Sequence, residues 1–350
     1  MSIQEVKVYR VTIEPHPNAD SIELAKIGEY RSIVRKGDFK DGDLVVYIPE
    51  QSLVPDKILE PIGLKGKLSG PLKNRVKAIK LRGILSQGIV IKARPEFIEG
   101  QDVAEILGIT KWEPEIPASM REKLFGDVFL AGLDRCVSFN IENYKKNPEL
   151  IKDGDFVVLT EKIHGTFVQF GFMTETLAHP EHGRIIVSSK GLAKNGLALK
   201  ESDINLYWKA FKKYISPELQ NEFLNQANLL QEPIFILGEI YGKGVQDLSY
   251  GTENFEFRAF AYFATTDPRN SNPLFLESVF GFEYQIPTVP ILYKGPFSKA
   301  ILNEYTNGKT TLSGNHTREG VVINYGIDKN YMLKSVSEEY LLRKNGTEFN

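Results

Sequence analysis

The 350-residue chain is 42% hydrophobic and 25% charged, with a formal net charge of −2 at pH 7. That apolar content suffices for two cores rather than one, and the balanced charge excludes a globally basic nucleic-acid binder, so any such surface must be local. The single cysteine, Cys136, excludes a disulfide framework and a cysteine-based zinc site.

From Val6 to Phe97, β-branched or aromatic-rich runs recur between Gly, Pro, Asp and Asn: VKVYRVTIEP, IELAKIGEY, RSIVRKG, DLVVYIPE and QGIVIKARPEF. Their close spacing predicts a small barrel or sandwich, taken as a first domain over residues 1–115. Prolines then break the rhythm around KWEPEIPAS, and residues 116–130 are predicted as a linker. Over residues 131–350 strands (FVVLTEKI, TFVQFGF, RIIVSS, PIFILGEIY, FRAFAYF, GVVINY) accompany one helical stretch from about Glu201 to Leu230. The opening MSIQEVKVYR lacks a signal-peptide pattern and no run approaches the ~18 apolar residues of a membrane span, which predicts a cytoplasmic protein with no membrane partner. No coiled-coil pattern or apolar seam is visible, so a monomer is expected.

Between Glu60 and Glu96 there is no acidic residue but nine basic ones. Arg75-Val76-Lys77 and Lys80-Leu81-Arg82 alternate charge with an apolar residue, which in a strand puts the charges on one face. Lys73, Arg75, Lys77, Lys80 and Arg82 are therefore the expected RNA contacts, against the alternative of a merely solvated strand face. The stretch contains no Phe, Tyr or Trp for stacking on bases, which favours backbone contact with a duplex or structured RNA.

Thr160-Glu161-Lys162-Ile163-His164-Gly165-Thr166 lies between two predicted strands, where a lysine can face a cleft. A lysine, with an ordinary pKa of ~10.4, attacks only as the neutral amine, which burial or a nearby cation favours. Four further segments carry compatible chemistry: Ser188-Ser189-Lys190-Gly191, Gly238-Glu239-Ile240-Tyr241-Gly242, Phe257-Arg258-Ala259-Phe260 and Arg318-Glu319-Gly320, with Lys334 beyond them. One lysine nucleophile, two strand-end carboxylates, further cations and an aromatic able to stack on a purine suit nucleotidyl transfer. His164 has either a structural or a catalytic reading, and His179, His182 and His316 show no metal-ligand spacing.

In this order the blocks resemble the nucleotidyltransferase motifs shared by polynucleotide ligases and mRNA capping enzymes. The resemblance implies that Lys162 carries the covalent nucleotide, that the Lys190 segment contacts the nucleotide and the 3′-OH end, and that Glu239 binds the ribose. It further implies that Phe257, or Phe260 in its place, stacks on the base, that Glu319 helps hold the metal, and that Lys334 binds the α-phosphate. Glu161 and Gly165 complete the expected nucleotide contacts, and Glu239 joins Glu319 as an expected metal contact, direct or through water. HPNADSIELAKIG, GDLVVYIPEQSLVP and LRGILSQGIVI resemble the N-terminal OB module of one branch of RNA ligases, and the segment from Ser335 to Lys344 is similar to that branch, with no room for a C-terminal OB domain. The implied fold class is α+β: an N-terminal OB-type β-barrel followed by a ligase-type nucleotidyltransferase domain of antiparallel sheets with flanking helices.

The implied activity is ATP-dependent RNA ligation of 3′-OH and 5′-phosphate ends, at nicks in duplex RNA, through lysyl-AMP and 5′-adenylylated RNA, with ATP as AMP donor and Mg2+ or Mn2+. The rival readings are a tRNA-loop repair ligase, a capping-type guanylyltransferase and a non-catalytic OB-type RNA-binding protein. Four positions depart from the family pattern. His164 stands where many relatives have an acid, Lys190 where arginine is commoner, Ala261 where Asp is frequent, and Met332 where a second lysine is frequent.

Overall fold

The computed structural model describes residues 5–112, 126–271, 274–275, 284–326 and 331–343. The N-terminal part holds β1 (Val8–Arg10), β2 (Thr12–Pro15), β3 (Ile22–Ile27), β4 (Tyr30–Arg35), β5 (Leu44–Ile48), β6 (Ser52–Leu53), α1 (Asp56–Leu59), β7 (Ile79–Leu81), β8 (Ile84–Ser86), β9 (Ile89–Lys92), α2 (Ala104–Leu107) and β10 (Thr110–Lys111). Two antiparallel three-stranded sheets, β1-β5-β9 and β2-β3-β4, form its body. β5 is a continuous apolar run, so both of its faces need partners. Val46 and Ile48 enter a cluster with Val6, Val8, Val54 and Leu59, while Val45 and Tyr47 enter another with Val11, Ala25, Ile27 and Val90. The predicted strand from Val6 to Pro15 is in fact two. It changes sheets at the buried Val11, β1 pairing with β5 and β2 with β3.

β10 pairs back onto β6, and the Trp112 amide donates to Gln51 O at 2.7 Å, so the N-terminal unit runs at least to Trp112. Of the predicted linker 116–130, residues 116–125 lie outside the described residues. Its last three residues are not linker but strand β11 (Val128–Leu130). The second unit continues with β12 (Glu142–Asn143), β13 (Phe156–Lys162), β14 (Thr166–Phe172), β15 (Ile185–Ser189), α3 (Lys190–Lys194) and β16 (Leu197–Leu199), the partner of β11.

The predicted helix over 201–230 is two helices, α4 (Leu206–Tyr214) and α5 (Pro217–Leu230). Pro217 has no amide to continue the first, and Ser216 caps the second by accepting from Leu219 N at 3.3 Å. Then follow β17 (Ile234–Gly242), β18 (Phe255–Ala264), β19 (Leu274–Phe275), β20 (Ile291–Pro296), α6 (Lys299–Thr306), β21 (Gly320–Tyr325), β22 (Tyr331–Val336) and α7 (Glu338–Leu342).

Two five-stranded sheets dominate this unit, ordered β12-β22-β21-β13-β20 and β15-β14-β17-β18-β19. All pairings are antiparallel except β12 with β22. Helices α4 and α5 cover one face of the second sheet, where Phe211 and Phe223 pack on Phe170 and Phe172. Each such fully buried ring contributes roughly 1.5–3 kcal/mol. β13 belongs to the first sheet and β14 to the second, so Ile163-His164-Gly165 carries the chain across the seam. Polar contacts join the two units: Glu29 N donates to Lys145 O at 2.8 Å, and Lys146 pairs with Glu5 at 2.7 Å. Among the described residues no helix is long and apolar enough to cross a membrane.

Candidate active site

Strand register assembles the site. β13 pairs with β21 so that Lys162 stands opposite Gly320, and Glu319, the residue before that glycine, forms an ion pair with the Lys162 amine. A Cβ at Gly320 would fall 2.0 Å from Ser335 O, so only glycine lets β21 lie this close to β22. Across the seam, a Cβ at Gly165 would meet Ile240 O at 2.2 Å and Glu239 Cγ at 2.9 Å. Gly165 thereby brings the end of β13 against β17, beside Glu239. Lys190 opens α3 behind its cap Ser189, and Lys334 lies on β22, opposite Val322 of β21.

These groups feel one another's charge. Burial pushes the Glu239 carboxyl up to about 8; Glu319 adds to the rise, while Lys162 and Lys190 oppose it. Burial likewise pushes the Lys334 ammonium down to about 8, helped by the charges of Lys162 and Lys190. Lys190 is held below its ordinary value by burial and by Lys162. Two carboxylates close enough to repel, within a cluster of cations, form a charge cluster suited to a polyanion with a divalent ion. Among the described residues no group of three or more His, Cys, Asp or Glu side chains could hold a metal by itself. Glu319 and Glu239 are a donor set of two carboxylates, which fits a hard cation completed by phosphate oxygens and water.

The aromatic wall differs from the expectation. Phe257 is the partner of Ile240 and is buried against Phe170 and Tyr214, with its ring filling the space beside Gly238. It is core and cannot stack on a ligand. The β17–β18 register breaks between Leu237 and Gly238, whose partners are Ala261 and Ala259, leaving Phe260 bulged out between them. Its half-buried ring stacks on Phe139, centroids 5.7 Å apart, and lies 6.2 Å from Phe167, the register partner of Glu239. Phe167 was readable from strand alternation. Phe139, in a segment without strand rhythm, carried no sequence signal.

Glu161 also departs from expectation. Strand alternation points its carboxylate away from Lys162, into a buried site where Thr310 Oγ1, Thr311 N and Thr311 Oγ1 donate to it, the last two at 2.8 and 2.6 Å. His164 is buried, and both its ring nitrogens have protein partners.

The five expected RNA contacts do not form one ridge. Lys73, Lys80 and Arg82 are exposed, the last two on and beside the β7 strand of a β7–β8 hairpin. Residues 75–78 are not a strand: Arg75 makes only single bridging pairs with Leu53 and Ser69. Val76 is buried, which turns Arg75 and Lys77 together toward α7. The Arg75 guanidinium lies 3.3 Å over the Trp112 ring and donates to Gln51 Oε1, and the Lys77 ammonium donates to Arg343 O at 3.3 Å. These two cations therefore face the join between the units.

Comparison with known proteins gives this architecture its class. Residues 1–93 match a family model described as an OB-fold domain, so the chain is an α+β protein with an N-terminal OB fold. Residues 155–336, more than half of the chain, match the RNA ligase family model, and the chain belongs to the RNA ligase family. The comparison with curated proteins returned no match. Among solved structures the chain is similar to Naegleria gruberi RNA ligase in several forms. Mutant forms with AMP and Mn, and with ATP and Mn, give TM-scores of 0.76 and 0.75 at 22% and 21% identity, covering 97% and 96% of this chain and 98% of those. The form with PPi gives 0.75 at 22% identity, with 97% and 98% covered. The likeness is one of fold over nearly the whole length.

Proposed function

We propose that this RNA ligase uses ATP, with Lys162 as the nucleophile that carries AMP. The observation that carries this reading is the convergence of Lys162, Lys190, Lys334, Glu239 and Glu319, from both sheets, on the seam beside the Phe260 ring. The ATP, AMP, PPi and Mn named for the similar Naegleria structures support the same substrate and metal here.

In the free protein the Lys162 amine pairs with Glu319, with the cations Lys190 and Lys334 nearby. A divalent ion, Mg2+ or Mn2+, would be held by Glu319 and Glu239, and when bound it neutralises charge on the phosphates. The neutral Lys162 Nζ then attacks the α-phosphorus of ATP, a P–N bond forms, the bond to the β-phosphate oxygen breaks, pyrophosphate leaves, and the nitrogen gives up a proton to solvent. An oxygen of the RNA 5′-phosphate next attacks that phosphorus and the P–N bond breaks, returning the amine and giving a 5′-adenylylated end. Finally a 3′-OH attacks the activated phosphate, loses its proton, and AMP departs. Lys334 and Lys190 supply positive charge to the transferred phosphate. Glu239 receives the ribose hydroxyls, and Phe260 rather than Phe257 stacks on the base. Gly165 keeps the nucleotide approach clear, and the Glu161 carboxylate anchors Thr310 and Thr311 instead of contacting the nucleotide.

The OB-type unit, taken over residues 1–115, contributes Lys73, Lys80 and Arg82 to contacts with phosphates of nicked duplex RNA; Arg75 and Lys77 serve the join between the units. The catalytic unit is taken over residues 131–350, extended back to β11. The test is incubation with ATP or GTP labelled at the α-phosphate, a divalent metal and then denaturation. Label from ATP that is lost in Lys162→Ala supports the ligase. Label from GTP alone would make it a guanylyltransferase, and no label with either would leave an RNA-binding protein.

A further inference from the structure

His164 lies two residues beyond Lys162, in the middle of the segment that crosses from one sheet to the other. Its backbone amide and both ring nitrogens are engaged. The backbone amide donates to Tyr250 OH at 2.7 Å, Nε2 lies 2.6 Å from Asp247 Oδ1, and Nδ1 lies 2.8 Å from Tyr340 OH of α7. An ionised Asp247 can only accept, so Nε2 carries the proton. In the neutral ring Nδ1 then accepts from the tyrosine hydroxyl. The circuit closes through Arg343, which pairs with Asp247 at 3.3 Å and stacks 3.7 Å over the Tyr340 ring. The carbonyl of the same Arg343 accepts from Lys77 of the OB unit.

We propose that His164 is a positioning residue. It fixes the turn that carries Lys162 and ties that turn to α7 and, through Arg343, to the OB unit. It touches no reacting atom, and it does not stand in for the acid that many relatives have at this position. An aspartate there could still accept from Tyr340, but it has no proton to donate and would bring a second carboxylate against Asp247. Asn or Gln would each preserve one end of the bridge, because a side-chain amide both donates and accepts.

The inference rests on Lys162 being the nucleophile, and the experiment separates the two. Rates of label transfer from ATP to the intact protein are measured at varied ATP and Mn2+ for wild type, His164→Asn, His164→Gln, His164→Asp, Tyr340→Phe and Lys162→Ala. If the wild type takes no label, or Lys162→Ala keeps it, the nucleophile assignment fails before His164 is judged. Given labelling, misplacement of the amine should lower the rate by up to about 10²-fold with the ATP KM and the Mn2+ requirement unchanged. The expected order of rates is wild type, then Asn or Gln, then Asp. Tyr340→Phe, which removes one oxygen and keeps the buried ring, should lose rate in the same step, and adding it to His164→Gln, which keeps only the Asp247 end of the bridge, should cost little more. Rates equal to wild type in all variants, His164→Asp outperforming His164→Asn, or a raised Mn2+ requirement would each overturn the proposal. If the His164 variants fail to fold, Tyr340→Phe alone decides it, and an unchanged rate there would overturn it.

Discussion

Lys162 and Glu319 are 157 positions apart in the chain, yet the β13–β21 register brings amine and carboxylate into direct contact. Glu319 is 4% exposed. Removing one member of a buried pair strands the other, at about 3–5 kcal/mol when the survivor stays charged and dry. Lys162 keeps some exposure, so Glu319→Gln should cost less, about 1–3 kcal/mol in urea denaturation. Lys162→Met added to Glu319→Gln should recover part of that loss. Strict additivity of the two substitutions would show the pair to be uncoupled.

Glu239 predicts a pH dependence of stability. Its folded value of about 8 lies above the ordinary 4.5. Between those limits the folded state keeps a proton that the unfolded chain gives up, so this group's contribution is full below pH 4.5 and is lost as pH rises through 8. Glu239→Gln should flatten that slope. The check is chemical denaturation of both proteins across that pH range, and parallel curves would refute the assignment.

Lys334 acts in the opposite sense. Its folded value of about 8 lies below the ordinary 10.5, so in that window the unfolded chain binds more protons and stability rises with pH. Lys334→Met should remove the rise while also slowing label transfer from ATP. Denaturation above pH 8 together with the labelling rate tests both.

The two phenylalanines should separate cleanly. Phe257→Ala empties a core site and should cost about 3–5 kcal/mol of stability. Phe260→Ala should remove a stacking contact of about 1–3 kcal/mol, raising the ATP KM roughly tenfold. Thermal denaturation and initial rates on both variants decide the matter, and a KM effect in Phe257→Ala alone would reverse the assignment.

For RNA, Lys80→Ala with Arg82→Ala should weaken binding and lower the salt slope by about one per residue, leaving label transfer from ATP untouched. Lys77→Ala should leave the salt slope intact and loosen the join between the units. Binding to a nicked duplex at several salt concentrations distinguishes the two.

The sequence by itself determined the strand-rich first unit, the mixed second unit and the ordered blocks around Lys162, Lys190, Glu239, Glu319 and Lys334. Alternation, glycine placement and strand-end charge are local properties, written within a few residues. The tertiary structure decided what depends on register between distant strands. A single bulge in β18 projects Phe260 and leaves Phe257 in the core, and no local pattern encodes which residue will be the extra one. Burial of Val76 turns Arg75 and Lys77 inward, so alternating charge that reads as an open face becomes part of the join between the units. Pro217 divided one helical period into two helices, although both halves follow the same rhythm. The acid-to-histidine change at position 164 looks like a loss in the sequence alone. Only the arrival of Asp247 and Tyr340 from elsewhere in the chain gives its ring a hydrogen-bond partner at each nitrogen.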